Sequence, residues 1–240
     1  MSELGRRIFT EFDRSALPKA ELFKGMGVAS ISDCVNRFFC MHHAIKPVLP
    51  VPNMQMRGIA LTVMTRCCDN LLVQKALEMA QPGDVIVVDA AGDMNQGMLG
   101  DIMVALAKKR GVAGYVVDGI VRDVRGMRNV ANVPVFARGL TPRGPWFDGP
   151  GEINVPISCG GVVVNPGDII VGDEDGVIVI PPAHAEQVAK EAQAIEDRDP
   201  LWLGQIEQHG RKLGMEWLDE TISANKFTIH EGCYSRRPQD

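Results

Sequence analysis

An α/β fold is what this chain predicts, and three observations carry that expectation. A buried strand, a helix and a second buried strand follow one another across residues 85–118, the order of a parallel crossover unit. Short β-branched runs, punctuated by glycine and proline, fill residues 58–180. From Pro182 onward the pattern changes to good helix formers.

The elements follow in order. Residues 15–37 read as helix, with Gly25 and Gly27 breaking it into two pieces. Pro47, Pro50 and Pro52 then confine the chain to loop or edge strand, because proline cannot donate to a ladder. Gly58 to Thr65 is a β-branched run and reads as a strand. Asp69 or Asn70 caps a helix that continues to about Ala80, with Leu72, Ala76 and Met79 near helical spacing. Val85-Ile86-Val87-Val88 is a buried strand, and residues 89–98 read as a loop leading to a helix over 99–110. That helix is expected to bury Leu99, Ile102, Met103 and Leu106, and its basic end, Lys108-Lys109-Arg110, suits the helix dipole. Gly111 stops it, and residues 113–118 form the next strand. Short strands are expected at 133–137, 161–164, 169–171 and 177–180.

One internal echo recurs. Gln81-Pro82-Gly83-Asp84 and Asn165-Pro166-Gly167-Asp168 each precede an aliphatic run. Two similar turns feeding strands of one β core explain it. The change of pattern at Pro182 divides the chain into an α/β domain, 1–182, and a C-terminal helical extension, 183–240, expected at a subunit interface.

The balance of 25 basic and 30 acidic side chains gives a net charge of −5, which offers no electrostatic footprint for nucleic acid. The aliphatic runs fall far short of the roughly 20 residues that cross a bilayer. No signal-peptide core follows Met1-Ser2-Glu3-Leu4-Gly5-Arg6-Arg7, so a cytoplasmic protein is expected. The six cysteines, at 34, 40, 67, 68, 159 and 233, form no C-x-x-C pair and read as reduced thiols. Cys67 and Cys68 would alternate across a strand.

The densest polar chemistry lies from Asp89 and Asp93 through Gly100-Asp101, and again at Arg122-Asp123. Both stretches follow buried strands, and ligands of open α/β sheets sit at the carboxyl ends of strands. The helix start at residues 99–102 offers free backbone N–H groups to an anion. Asp123 and Asp101 suit magnesium, which takes one or two carboxylates and keeps several waters. Arg122 adds a permanent charge in a planar fork. The same residues also fit a surface ion pair and a helix-capping Asp.

Leu99-Gly100-Asp101, twenty residues, then Arg122-Asp123 resembles the signature of the class II pyruvate aldolases acting on 4-hydroxy-4-methyl-2-oxoglutarate and 4-carboxy-4-hydroxy-2-oxoadipate. The resemblance continues at Pro134 to Gly139, Ile153-Asn154-Val155-Pro156, Cys159-Gly160-Gly161-Val162 and Pro166 to Val177, covering about residues 25–200. It implies a four-layered α-β-β-α sandwich assembled as a homo-oligomer, trimer or hexamer. It also implies a divalent metal, Mg2+ before Mn2+, bound by Asp123 directly and by Asp101 through water. Arg122 would contact the substrate's keto oxygen and carboxylate, and the N–H groups of Leu99, Gly100, Asp101 and Ile102 would bind the pyruvyl carboxylate. Glu196 is the candidate for an acid donated by a neighbouring subunit, with Glu191 and Asp199 as alternatives. The implied reaction cleaves a 4-hydroxy-2-oxo acid to pyruvate and a second oxo acid, with oxaloacetate decarboxylation as a companion activity. The same superfamily contains non-catalytic regulators of an RNA-degrading enzyme, and the acidic Asp101 favours the aldolase branch. Gly126 departs from the pattern, which carries an acid three residues after Asp123.

The remaining polar residues read as structural. His42-His43 belong to a loop, His184, His209 and His230 are assigned no chemistry, and Asp173-Glu174-Asp175-Gly176 is a tight turn. Arg143 and Trp146, in a proline- and glycine-rich loop, are placed to reach the distal end of a substrate.

Overall fold

A computed structural model describes residues 3–50, 52–130, 133–210 and 213–232. The chain forms two compact units, Met1–Glu196 and Asp197–Asp240. In the second unit, the end of one long helix exposes Leu201 and Leu203, a short helix exposes Trp217, and Phe227 is exposed beyond that helix. Cys233 and the terminal Arg236-Arg237-Pro238-Gln239-Asp240 lie outside the described residues.

The helices are α1 (Leu17–Ala20), α2 (Val28–Cys34), α3 (Leu71–Met79), α4 (Asp101–Arg110), α5 (Val124–Val130), α6 (Ala185–His209) and α7 (Glu216–Ala224). The strands begin with β1 (Lys46–Pro47), β2 (Met56–Thr65), β3 (Asp84–Gly97), β4 (Gly114–Val121) and β5 (Val135–Leu140). They continue with β6 (Gly151–Ile153), β7 (Ile157–Cys159), β8 (Val162–Val164), β9 (Ile169–Asp173) and β10 (Gly176–Ile180). One eight-stranded sheet has the order β1-β5-β4-β3-β2-β9-β10, with β6 also on β2, and β7–β8 form a separate hairpin. Strands β2, β3, β4 and β5 are mutually parallel, as the strand–helix–strand order predicts. The β9–β10 hairpin joins β2 antiparallel.

Three apolar cores separate four layers. Side chains alternate across a strand, so Ile86, Val88, Tyr115 and Val117 pack under Leu72, Ala76, Val104, Ala107 and Met127 of α3, α4 and α5. Their neighbours Val85, Val87, Val116 and Phe136 face the other way, against Ile157, Val164, Ile170, Val177 and Val179. The sheet therefore folds over so that β9–β10 and the small hairpin face β3, β4 and β5. The outer face of β9–β10, with Ile169, Val171, Ile178 and Ile180, takes Phe23, Ile31, Val188 and Ala192 from the α1–α2 segment and α6. Each fully buried Val or Ile is worth about 1.5–3 kcal/mol relative to exposure. The result is α-β-β-α, the expected architecture.

The paired turns are real. In each, the Pro-Gly step places glycine at positive φ, +88° at Gly83 and +89° at Gly167, as a type II turn requires. Asp84 Oδ2 accepts the Gln81 N–H at 2.9 Å, and Asp168 Oδ2 accepts the Asn165 N–H at 2.8 Å. The strands they start, β3 and β9, belong to the same sheet.

Three expectations are corrected. The loop over 89–97 is strand, because β3 continues past two register breaks against β4 with Ala91 and Gly92 at positive φ. Bulges of this kind hide the strand's alternation from the sequence. Helix α4 buries Val104 and Ala107, whereas Ile102 is 81% and Leu106 45% exposed. It begins at Asp101, and Leu99 is buried ahead of it. Cys67 and Cys68 occupy a turn after β2, with Cys68 at φ +67°, rather than alternating on a strand.

Candidate active site

β3 and β4 end side by side. The Met98 N–H donates to Ile120 O at 2.8 Å and the Arg122 N–H to Leu99 O at 3.0 Å, so the start of α4 lies against the Arg122-Asp123 step. Gly97 permits this approach, since a Cβ there would stand 3.0 Å from Arg122 Cβ and from the Val121 carbonyl carbon. A cavity of about 180 Å3 opens at the junction, lined by residues 99–103, Arg122, Asp123, Asn70, Gln74, Pro145 and Phe147. The sequence-predicted residues Leu99, Gly100, Asp101, Ile102, Arg122 and Asp123 are therefore brought together.

Two glycines make room for the two carboxylates. A Cβ on Gly100 would overlap Asp123 Oδ2, and one on Gly126 would overlap the carboxylate of Asp101. The departure at Gly126 thus has a physical reason: Asp101 occupies the volume that a side chain there would take. Asp123 sits at φ +59°, a conformation uncommon outside glycine and costly to hold. Arg122 Nε contacts Asp123 Oδ2 at 3.1 Å, and the two side chains are 39% and 44% exposed. Gly100, the N-cap of α4, carries no capping side chain. The Ile102 N–H is taken by Asp101 Oδ1 at 2.8 Å, which engages one of the four N–H groups expected to bind an anion.

The donor set fits a hard cation of low ligand demand. Among the described residues no group of three or more His, Cys, Asp or Glu side chains converges as a metal cage. Two carboxylates at an open cavity are what magnesium uses, with water completing the octahedron.

Other singled-out residues lie elsewhere. Within the chain, Glu196 Oε1 accepts the Gly27 N–H at 2.9 Å, at the start of α2, and it does not line the cavity. Glu191 accepts from Gln187 at 3.0 Å, and Asp199 pairs with Arg198. Asp89 accepts the Ala91 N–H at 2.9 Å, and burial raises its pKa. Burial also acts to raise Asp93, but hydrogen bonds from Cys68 and Asn95 outweigh it and hold the carboxyl below its ordinary value. Cys68 is pushed up to about 11, first by burial and then by its bond to Asp93, which leaves it a poor nucleophile. His42 and His43 stack at 4.3 Å in a loop. Asp173 accepts the Asp175 N–H within the β9–β10 turn and the Val28 N–H at the start of α2. Arg143 contributes its carbonyl oxygen, which accepts the Gly97 N–H at 2.9 Å.

A larger cavity, about 720 Å3, lies between the β1–β2 loop and helices α4 and α5, lined by Met54, Val104, Met127, Val135 and the Glu21–Arg57 pair. Asp101, Arg122 and Asp123 line the smaller cavity and not this one, so chemistry rather than size selects the smaller one. Reading the sequence missed Asn70, Gln74, Pro145 and Phe147 as cavity walls. Their contribution depends on how α3 and the 141–150 loop meet, and no local spacing encodes that.

The family model described as Aldolase/RraA, RraA-like, matches residues 28–179, which span the sheet and the cavity. The chain belongs to this family. It is 46% identical over 171 residues to a Halalkalibacterium halodurans protein provisionally named 4-hydroxy-4-methyl-2-oxoglutarate aldolase, covering 71% of this chain and 80% of that one. Among solved structures, an uncharacterised Pseudomonas syringae protein superposes with TM-score 0.73 at 26% identity, over 88% of this chain and 98% of its own. Streptomyces coelicolor RraAS2, described as an unusual member of the RNase ES inhibitor RraA family, gives 0.71 at 29% identity, over 80% and 98%. The fold thus serves proteins named for two different activities.

Proposed function

We propose that this chain is a divalent-metal-dependent lyase that cleaves a 4-hydroxy-2-oxo acid to pyruvate and a second oxo acid. The observation that carries the reading is the cavity where Arg122, Asp123 and Asp101 meet the first turn of α4, with Gly100 and Gly126 shaped around the two carboxylates. Asp123 would hold Mg2+ or Mn2+ directly and Asp101 would hold it through water. The ion would supply Lewis acidity toward the oxygens of the 2-oxo acid.

The chain's own residues do the rest. N–H groups before Ile102 bind the carboxylate of the pyruvyl half at the positive end of the α4 dipole. Arg122 presents its fork to the 2-oxo oxygen, where negative charge grows as the C3–C4 bond breaks. Asp101 orients a water that takes the proton from the C4 hydroxyl. The C4–O electrons then form the new carbonyl, the C3–C4 pair passes into the pyruvate enolate, and a proton returned to C3 makes the methyl group. Decarboxylation of oxaloacetate yields the same enolate, so it is expected as a second activity. The provisional name of the Halalkalibacterium relative supports lyase chemistry.

The inhibitor-named neighbour supports a second reading, a non-catalytic regulator of an RNA-degrading enzyme. The acid at Asp101 favours the lyase. Incubating the protein with Mg2+ and oxaloacetate and following pyruvate separates the two: release well above a metal-only control supports the lyase, and release no faster than that control supports the regulator.

Assembly as a trimer or hexamer belongs to the same proposal, with 183–240 at the interface and Glu196 of a second copy completing the site. Such donation requires Glu196 to exchange its Gly27 partner. Light scattering that finds a fully active monomer would overturn it. No helix among the described residues is long and apolar enough to cross a membrane. The free thiols of Cys34, Cys40, Cys67, Cys68 and Cys159 support a reducing, cytoplasmic setting.

A further inference from the structure

The loop over residues 141–150 covers Arg122, and one buried carboxylate holds that loop. Asp69, which has no exposed surface, precedes α3. Its Oδ2 accepts the Asp148 N–H at 2.7 Å and the Gly149 N–H at 2.9 Å. Its Oδ1 accepts the Leu71 N–H at 3.0 Å, and Arg66 approaches Oδ2 at 3.3 Å. A carboxylate accepting several backbone N–H groups in a buried position is a strong fixture, because removing it strands those donors. The neighbouring backbone adds to the clamp. Trp146 N–H donates to Cys68 O at 2.7 Å, and Asn70 N–H donates to Trp146 O at 3.0 Å.

The clamped segment shapes the site. Its Pro145 and Phe147 line the cavity with Arg122. A Cβ on Gly144 would lie 2.7 Å from Arg122 Nη1, so the loop backbone is already against the guanidinium. Arg122 Nε also contacts Asp123 Oδ2 at 3.1 Å. The partly exposed arginine thus meets Asp123 through Nε and the loop backbone through Nη1.

We propose that Asp69 is a positioning residue for Arg122: its carboxylate sets the 141–150 loop against the guanidinium and keeps the fork aimed into the cavity. The catalytic consequence rests on the lyase reading, whereas the geometric consequence does not. A misplacement of about 1 Å in a catalytic group costs up to roughly 10²-fold in rate.

The test uses the full chain as wild type and as Asp69→Ala, Asp69→Asn and Gly144→Ala. Three quantities are read: hydrogen exchange at the Asp148 and Gly149 amides, the NMR signal of the Arg122 side-chain Nε–H, and kcat and KM for oxaloacetate with Mg2+. Asp69→Ala should release both amides by about tenfold or more, shift and broaden the Arg122 signal, and lower kcat by about 10–10² with a smaller change in KM. Asp69→Asn, whose amide oxygen can replace Oδ2, should retain the loop and more of the rate. Gly144→Ala should move the Arg122 signal and lower kcat while the two amides stay protected. Should Asp69→Ala not fold, Gly144→Ala and Asp69→Asn still decide. Released amides with an unchanged Arg122 signal in Asp69→Ala, or an unchanged signal in Gly144→Ala, would overturn the proposal whatever the activity. A wild type inactive toward oxaloacetate would instead remove the lyase reading, leaving the Arg122 signal to judge the positioning role.

Discussion

Two arginine–carboxylate pairs in this molecule have similar chemistry and opposite settings. Arg7 grips Glu152 through two bonds, Nε to Oε1 at 2.8 Å and Nη2 to Oε2 at 2.7 Å, and the Glu152 side chain is 3% exposed. Gly5 N–H adds a third donor to the same carboxylate. This pair ties the N-terminal arm to β6, beside the Ile153 N–H bond to Arg7 O at 3.0 Å. Arg122 touches Asp123 through one contact at 3.1 Å, both side chains are substantially exposed, and Asp123 holds a left-handed backbone. A pair so open to water contributes about 0–1 kcal/mol. Burial and a second bond make the first pair a fastener. Exposure and a single bond leave the second free to exchange its partner for a ligand.

Breaking each pair should therefore give different signatures. Asp123→Ala should have the largest effect on activity, about 10³-fold or more if a cation-binding carboxylate worth several kcal/mol is lost, with the thermal midpoint nearly unchanged. Calorimetric titration with Mg2+ or Mn2+ should show binding lost, and unchanged binding would sink the ligand assignment. Gly126→Ala is the gentler probe, since its Cβ must displace the Asp101 carboxylate. We expect roughly a tenfold fall in kcat, on the scale of a displaced catalytic group, with Asp123-dependent metal binding retained.

Arg7→Ala should do the reverse, leaving kcat unchanged and lowering the urea midpoint, because the Glu152 carboxylate loses its two side-chain donors. Its pH dependence sharpens the comparison. The hydrogen bond from Arg7 holds the Glu152 pKa below its ordinary value, against burial, which acts to raise it. The stabilisation is fully present above the unfolded value of about 4.3 and is lost as pH falls through the lower folded value. The stability gap between wild type and Arg7→Ala should narrow through that acid range. Asp168, raised by burial, works in the opposite sense in both proteins and cancels.

How much of this was legible depends on how local each feature is. The parallel crossover around α4, the two Pro-Gly-Asp turns and the convergence of Asp101 with Arg122-Asp123 follow from spacing over a few residues and from strand order. The extended part of β3 was not legible, because bulges at Asp89–Gly97 break the period that reveals a strand. The buried face of α4 was misread because Ile102 and Leu106, apolar and four residues apart, point outward. Asp69 read only as a helix cap. Its hold on Asp148 and Gly149 joins residues 79 and 80 positions apart, a contact that only the folded sheet brings about. The space reserved by Gly126 is likewise invisible until Asp101 is seen occupying it.

The central claim is that Arg122 stabilises a pyruvate enolate formed in this cavity, and the most direct measurement is exchange of pyruvate methyl protons in deuterium oxide. Followed by proton NMR with Mg2+ present, wild type should exchange the methyl protons well above a metal-only control, whichever aldol substrate is physiological. Arg122→Ala should slow that exchange by about 10²–10³, the scale of losing one oxyanion donor, and Arg122→Lys should recover only part because it lacks the fork. Wild-type exchange no faster than the metal-only control, in correctly assembled protein, would contradict the account and favour the regulator reading.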